Sequence, residues 1–170
     1  MARRRESYLL ILSEREALAW VVREQRMAFP PGREQTARRL SIDDRLFLYT
    51  TRGCFHNPTK DRGRIAGMAR VATSVMDLDE PVTLAGRSFS TGCEIEIEGL
   101  APLRTGVEFA PLVERLEVFP DPASWSVRMR RPFLSLPVAD AQLIERLLRP
   151  RLRPLAEVIP DYLAAARHRI

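Results

Sequence analysis

Histidine and cysteine are scarce in this sequence, and long apolar runs are missing from it. Only His56 and His168 occur in 170 residues, so a histidine triad or a multi-histidine metal site would have to use one of those two positions. Cys54 and Cys93 lie far apart, and neither belongs to a CxxC or to a Cys/His set with zinc spacing. A reduced, cytoplasmic protein is the expectation from that usage. No GxSxG, Walker loop or HExxH occurs. Cys54 and His56 could be drawn as nucleophile and base, but no orienting partner is evident, so no catalytic residue, cofactor or metal is assigned. The basic start MARRR is followed by an apolar run only from Tyr8 to Leu12, too short for a signal peptide. Nothing approaches the roughly 20 apolar residues of a membrane span.

What is present is an ordinary globular composition, 45% hydrophobic and 29% charged, with its charge unevenly placed. Residues 1 to 122 hold 18 basic and 18 acidic side chains, whereas residues 123 to 170 hold nine arginines against Asp140, Glu145, Glu157 and Asp161. The whole surplus of +5 therefore sits in the last 48 residues, which suits a polyanion-facing side. Lys60 is the single lysine. Arginine usage of this kind fits phosphate recognition, and a GC-rich genome would also produce it.

Along the chain, Tyr8 to Leu12 reads as a short buried strand. Ser13 with Glu16 three residues on has the form of a capping box opening a helix to about Arg26, with Ala17, Leu18, Val21 and Val22 inward and Trp20 beside them. Phe29 to Gly32 stops that helix. Leu46 to Thr50 and Arg64 to Val75 read as strands, the second with Gly67 marking a bulge or a close backbone approach. Arg52 to Gly63 between them is a loop, Asp43 and Asp44 are turn residues, and a turn region with Pro81 and Gly86 follows. Cys93, Ile95 and Ile97 alternate with Glu94, Glu96 and Glu98, as in a strand with one wet face. Phe109 to Phe119 reads as an amphipathic helix, Ala139 to Leu148 as another, and Tyr162 to His168 as a terminal one. This order has no βαβ rhythm and predicts an α+β domain, a small mixed β-barrel flanked by helices.

The stretch SWSVRMRRPFLSLP, Ser124 to Pro137, places a tryptophan among arginines. At a strand period of two, Trp125, Val127 and Met129 face one way and Ser126, Arg128 and Arg130 the other. An unstacked base is held by aromatic or apolar faces and its phosphate by arginine. Tyr49, Phe89, Trp125 and Phe133 are candidates for such a pocket, and each is also a plausible core residue.

The run VEFAPLVERLEVFPDPASWSVRMRRPFLSLPVADAQLIERLL resembles the C-terminal half of EVE-domain proteins, and SYLLILSEREALAWVV, SIDDRLFLYTT and RIAGMARV are similar to that family's earlier strands and first helix. The likeness covers about residues 7 to 149, leaving 150 to 170 as a C-terminal helical tail. It implies a PUA-like fold related to YTH domains and a pocket for a modified nucleobase, in DNA before RNA, with a nuclease as a further partner; the lack of apolar spans implies no membrane partner, and the tail could pair with a second copy of the chain as a homodimer. Carried over position by position, it implies ligand contacts at Ser13, Glu14, Met27 and Ala28, and a basic turn at Ser126, Arg128, Arg130 and Arg131. Tyr49 and Phe89 complete the expected site. Glu14 stands where relatives carry asparagine, and Met27 where they carry a stacking tryptophan. These departures leave open a small-molecule sensor using the same pocket, or an interaction protein docking through Leu155, Val158, Ile159, Tyr162 and Leu163.

Overall fold

The computed structural model describes residues 3–167; His168, the expected end of the last helix, lies outside them. The apolar run at the start forms β1 (Ser7–Leu12), and its lack of alternation has a topological cause. β1 is a central strand, paired in parallel with β3 (Arg45–Thr50) and antiparallel with β8 (Phe133–Leu136), with packed side chains on both faces. From β3 the sheet continues antiparallel through β4 (Arg64–Val71) and β6 (Arg87–Leu100) to β2 (Arg26–Phe29). The path β2-β6-β4-β3-β1-β8 curls into a half-barrel. β5 (Met76–Leu84) pairs with β6, and the two-residue β7 (Val107–Glu108) pairs with β4. The fold class is therefore α+β, as the pattern predicts.

The alternation of β6 is as expected: Cys93, Ile95 and Ile97 are buried and Glu94, Glu96 and Glu98 exposed. Gly67 also answers to its expected role, since a Cβ there would lie 2.7 Å from Leu100 Cδ1 and 2.9 Å from the Gly99 carbonyl oxygen. The β3–β4 register slips between Leu48 and Tyr49, directly beside it.

Several expectations need correction. The first helix, α1, runs Arg15–Glu24 with Glu14 rather than Ser13 at its N-cap, and no side chain caps it. Glu16 does not close a capping box; its Oε2 accepts the Ala85 N–H at 2.9 Å, a tie to the β5–β6 hairpin that local spacing could not reveal. α1 stops at Gln25, held in the left-handed region at φ 51° with its N–H returned to the Val21 carbonyl, and β2 begins at once. The turn region expected from Pro81 and Gly86 contains the strand β5. It survives as a strand because it pairs along one side only, and its register breaks between Asp77 and Val82, around the proline. The expected helix at Phe109 to Phe119 is a 3-10 helix over Ala110–Arg115, with Pro111 in its first turn. A short α2 (Glu34–Ala37) follows β2.

The sheet has a core on each face. One face holds Leu10, Leu46, Leu48 and Ile95 against α1 and the last helix, α5 (Leu155–Arg167). The other holds Leu9, Phe47, Tyr49 and Ile65 against the 3-10 segment and α4 (Val138–Leu148). α4 carries Asp140, 2% exposed, whose Oδ1 and Oδ2 accept the backbone N–H groups of Glu117 at 2.8 Å and Val118 at 2.9 Å. Asp140→Ala leaves two inner donors without an acceptor. The expected cost is about 2–3 kcal/mol, a fall in Tm on the order of 5–10 °C in a thermal melt.

Candidate functional site

The edges of the curled sheet, β2 and β8, meet through side chains rather than backbone hydrogen bonds. Phe29 and Phe133 touch across that seam at 5.7 Å between ring centroids, and Tyr8 meets Phe133 at 5.5 Å, both edge to face. Beside this aromatic closure the seam opens into a cavity of about 550 Å³. Its walls are Leu10 to Leu12 at the end of β1, Ala17 and Trp20 on α1, Met27 to Pro30 on β2, Leu84 and Phe89 on the β5–β6 hairpin, and the turn Met129 to Pro132. The volume is that of an ordinary small-ligand site.

The polar groups are few and placed at the rim. Arg33, Arg87, Arg130 and Arg131 line the cavity and, among the described residues, meet no carboxylate. Elsewhere the arginines divide: Arg45, Arg64, Arg70 and Arg149 have acidic partners, while others such as Arg115 and Arg128 have none among the described residues. The Arg87 guanidinium lies 5.8 Å over the Phe89 ring, and Arg26 lies 5.2 Å over Trp20 from outside. The acidic exception is Glu14, whose Oε1 and Oε2 lie 3.0 and 3.1 Å from His56 Nε2. A carboxylate held that way keeps further lone pairs for a donor on a ligand.

No protein-family model and no curated protein matches the sequence. Solved structures do match it. The Pho92 YTH domain in complex with m6A shares 13% identity at a TM-score of 0.58, over 88% of this chain and 86% of that one. Human THYN1 in complex with 5-methylcytosine containing DNA shares 12% at 0.55, over 84% and 96%. The Mmi1 YTH domain in complex with RNA shares 11% at 0.55, over 88% and 83%. The fold is PUA-like. It is the architecture that EVE-like and YTH domains have in common, as the resemblance implied.

The PUA-like domain brings most of the sequence-derived site together. Ser13, Glu14, Met27, Ala28, Phe89, Arg130 and Arg131 all line the one cavity, although they come from four separate segments of the chain. Tyr49, Ser126 and Arg128 do not. Tyr49 is 3% exposed on the opposite face of the sheet, 4.9 Å from Phe109. The strand period decides this: Leu48 and Thr50 face the cavity side, so Tyr49 cannot, and burial pushes its hydroxyl up to about 12. Trp125–Arg128 is a four-residue helix, α3, not a strand, so the alternation assumed for that stretch does not apply. Trp125 packs 5.6 Å from Phe109 and 6.3 Å from Phe119 and anchors the turn. Ser126 stays in solvent, and Arg128 turns to a separate shallow depression with Arg4 and Val138.

Trp20, Arg33 and Arg87 were not singled out in the sequence. Trp20 carried a signal, since it stood beside the inward stripe of α1 rather than in it. Arg33 and Arg87 carried none, because only the hairpin and the Pro30–Arg33 turn aim them at the seam. The drawn pair of Cys54 and His56 does not form a catalytic unit: Cys54 is buried, its thiol pushed up to about 12 by desolvation first and by Glu14 and Asp61 after it, while His56 is held by Glu14. Among the described residues no three His, Cys, Asp or Glu side chains cluster as metal ligands, and no helix is long and apolar enough to cross a membrane.

Proposed function

We propose that this PUA-like domain is a non-catalytic binding module that holds a modified nucleobase in the seam cavity and the flanking phosphates on its arginine rim. The observation that carries this reading is the combination of a mainly apolar cavity with four arginines at its rim that lack acidic partners among the described residues. An extruded base offers a flat apolar surface, and Phe89, Trp20 and Met27 supply faces for it. Phosphates supply the anions that Arg33, Arg87, Arg130 and Arg131 lack. Glu14 favours a base edge that donates, such as an exocyclic amino group. Human THYN1 and the YTH domains, which share the fold, are seen with methylated DNA, m6A or RNA. Modified DNA is the partner we put first, on the sequence resemblance to EVE domains.

The test is fluorescence anisotropy with DNA and RNA oligonucleotides carrying 5-methylcytosine, N6-methyladenine or no modification, over a salt series. Modified DNA should bind more tightly than its unmodified counterpart. Ala28→Trp, which fills the cavity, should remove that preference, about tenfold or ~1.4 kcal/mol, while the salt-dependent component persists. Equal affinity for all oligonucleotides would refute base recognition, and tighter binding of modified RNA would replace the DNA assignment. A small-molecule sensor is the second reading, favoured by the Glu14 carboxylate on the wall, which opposes phosphate. On that reading a free nucleoside raises Tm while no oligonucleotide binds at low salt.

A further inference from the structure

On the far side of the Glu14–His56 pair lies a second concavity, an open groove of about 620 Å³ lined by Arg15, Phe55, His56, Asn57, Arg104 and Asp161 among others. Two features set it apart from an ordinary crevice between α1, α5 and two loops. His56 and Arg104 are two of only five non-glycine residues at positive φ among those described, at 60° and 64°, and both line this groove. Left-handed backbone at a residue such as arginine is uncommon and is retained where the surrounding structure fixes it, often at ligand sites. The Arg104 side chain is held by Asp61, 5% exposed, whose Oδ1 accepts Arg104 Nε at 2.7 Å. That pair lays the Arg104 guanidinium 5.5 Å over the Phe55 ring. The second feature is the other oxygen of the same carboxylate. Asp61 Oδ2 is fully buried and, among the described residues, accepts no hydrogen bond, and Asp61 lines a water-sized pit that shares Phe55, Leu103 and Arg104 with the groove. A buried acceptor of this kind calls for a donor.

We infer that this groove is a second nucleotide subsite, holding the residue next along the strand to the base in the cavity. The inference rests on the proposed function of the cavity. The Phe55–Arg104 platform and the half-exposed His56 ring offer stacking faces, Asn57 offers its side-chain amide as donor to a base edge while its Oδ1 accepts from Thr59 Oγ1 at 3.3 Å, and Arg15 offers a charge for the connecting phosphate. Glu14 and His56 then form a post between neighbouring nucleotides. Arg15 follows Glu14 directly in the chain, so the two subsites are joined at the first turn of α1.

The experiment is an NMR titration of the full chain with two DNA trinucleotides, one unmodified and one with 5-methylcytosine at its centre. Amides of Arg15, Asn57 and Arg104 report the groove, and those of Ser13, Ala28 and Arg130 report the cavity. Both trinucleotides should shift the groove signals, with the modified one also shifting the cavity. Shifts confined to the cavity overturn the second subsite and leave the base pocket standing. Shifts confined to the groove leave the subsite and sink the base pocket, and the absence of any shift overturns both. Arg15→Ala should weaken trinucleotide binding about fivefold to tenfold at low salt without altering binding of free 5-methyldeoxycytidine, and Asp161→Asn should strengthen it. Equal trinucleotide affinity for wild type and both variants would also overturn the inference.

Discussion

Deleting residues 154–170 is expected to abolish cooperative folding of the domain, not merely to remove an appendage. Tyr162 on α5 is 2% exposed and donates its hydroxyl to the Ala101 carbonyl at 2.6 Å, and burial pushes that hydroxyl well up from its usual range. Val158 is 5% exposed, and Leu155 and Leu163 pack onto the same core as α1. Just before α5, Arg153 exchanges both backbone hydrogen bonds with Leu100 at the end of β6, at 2.9 and 3.1 Å. Burial of two large side chains contributes about 1.5–3 kcal/mol each, and the α1 and β6 surfaces left open add a comparable loss. Against a domain stability of about 5–15 kcal/mol that is decisive. Circular dichroism melts of the truncated chain should show no sharp transition, while Tyr162→Phe, which removes only the hydrogen bond, should still melt cooperatively with a loss of about 1–2 kcal/mol. A truncated chain that melts like the full one would show that α5 is dispensable. The same geometry bears on docking through the tail, since four of the five residues proposed for that role pack onto this chain's own core.

Replacing Arg130 and Arg131 together with alanine is expected to have the largest effect on nucleic-acid binding. Both line the cavity, both lack a carboxylate partner among the described residues, and both sit in a turn held by the Trp125 anchor and by the Ile11 N–H bonded to the Pro132 carbonyl at 2.9 Å. Because neither supports the core, the substitution should leave Tm within about 1 °C of wild type. The slope of log affinity against log salt should fall by about two units, and affinity at low salt by roughly ten- to a hundredfold. Arg128→Ala provides the contrast: Arg128 closes the short helix before the turn but faces the separate depression with Arg4, and its loss should change the slope by less than half a unit. An unchanged slope in the double variant would remove the turn from the interface.

Much of the fold was legible in the residues because its patterns are local. The apolar run of β1 and the alternating β6 each bury what their period says they should, and Gly67 marks the close approach of strands. β2 and β5 were not legible. β2 is four residues between a helix end and Pro30-Pro31, and it becomes a strand only because β6 is there to pair with it. β5 carries Pro81 and three acids, Asp77, Asp79 and Glu80, which argue locally for a turn and are tolerated on a strand paired along one side. The stretch from Trp125 to Met129 was misread for a related reason. Its alternation of apolar and polar residues is short enough to fit either period, and the packing of Trp125 on Phe109 and Phe119 selects the helix.

The sequence by itself determined the class of the fold, the surplus of arginine in the last third, the poverty in catalytic and metal-ligating side chains, and a resemblance that named six residues now found around one cavity, with Phe89 added from the scattered aromatics. The tertiary structure alone decided which aromatics and arginines share that cavity. Tyr49 was excluded by the parity of its strand and Arg128 by one turn of helix, while Trp20, Arg33 and Arg87 were brought in by a hairpin and a seam. Composition and periodicity report the neighbours a residue has along its own segment. A binding site forms where separate segments converge, here at the two sheet edges that curl together without pairing, and that convergence is a property of the closed sheet as a whole.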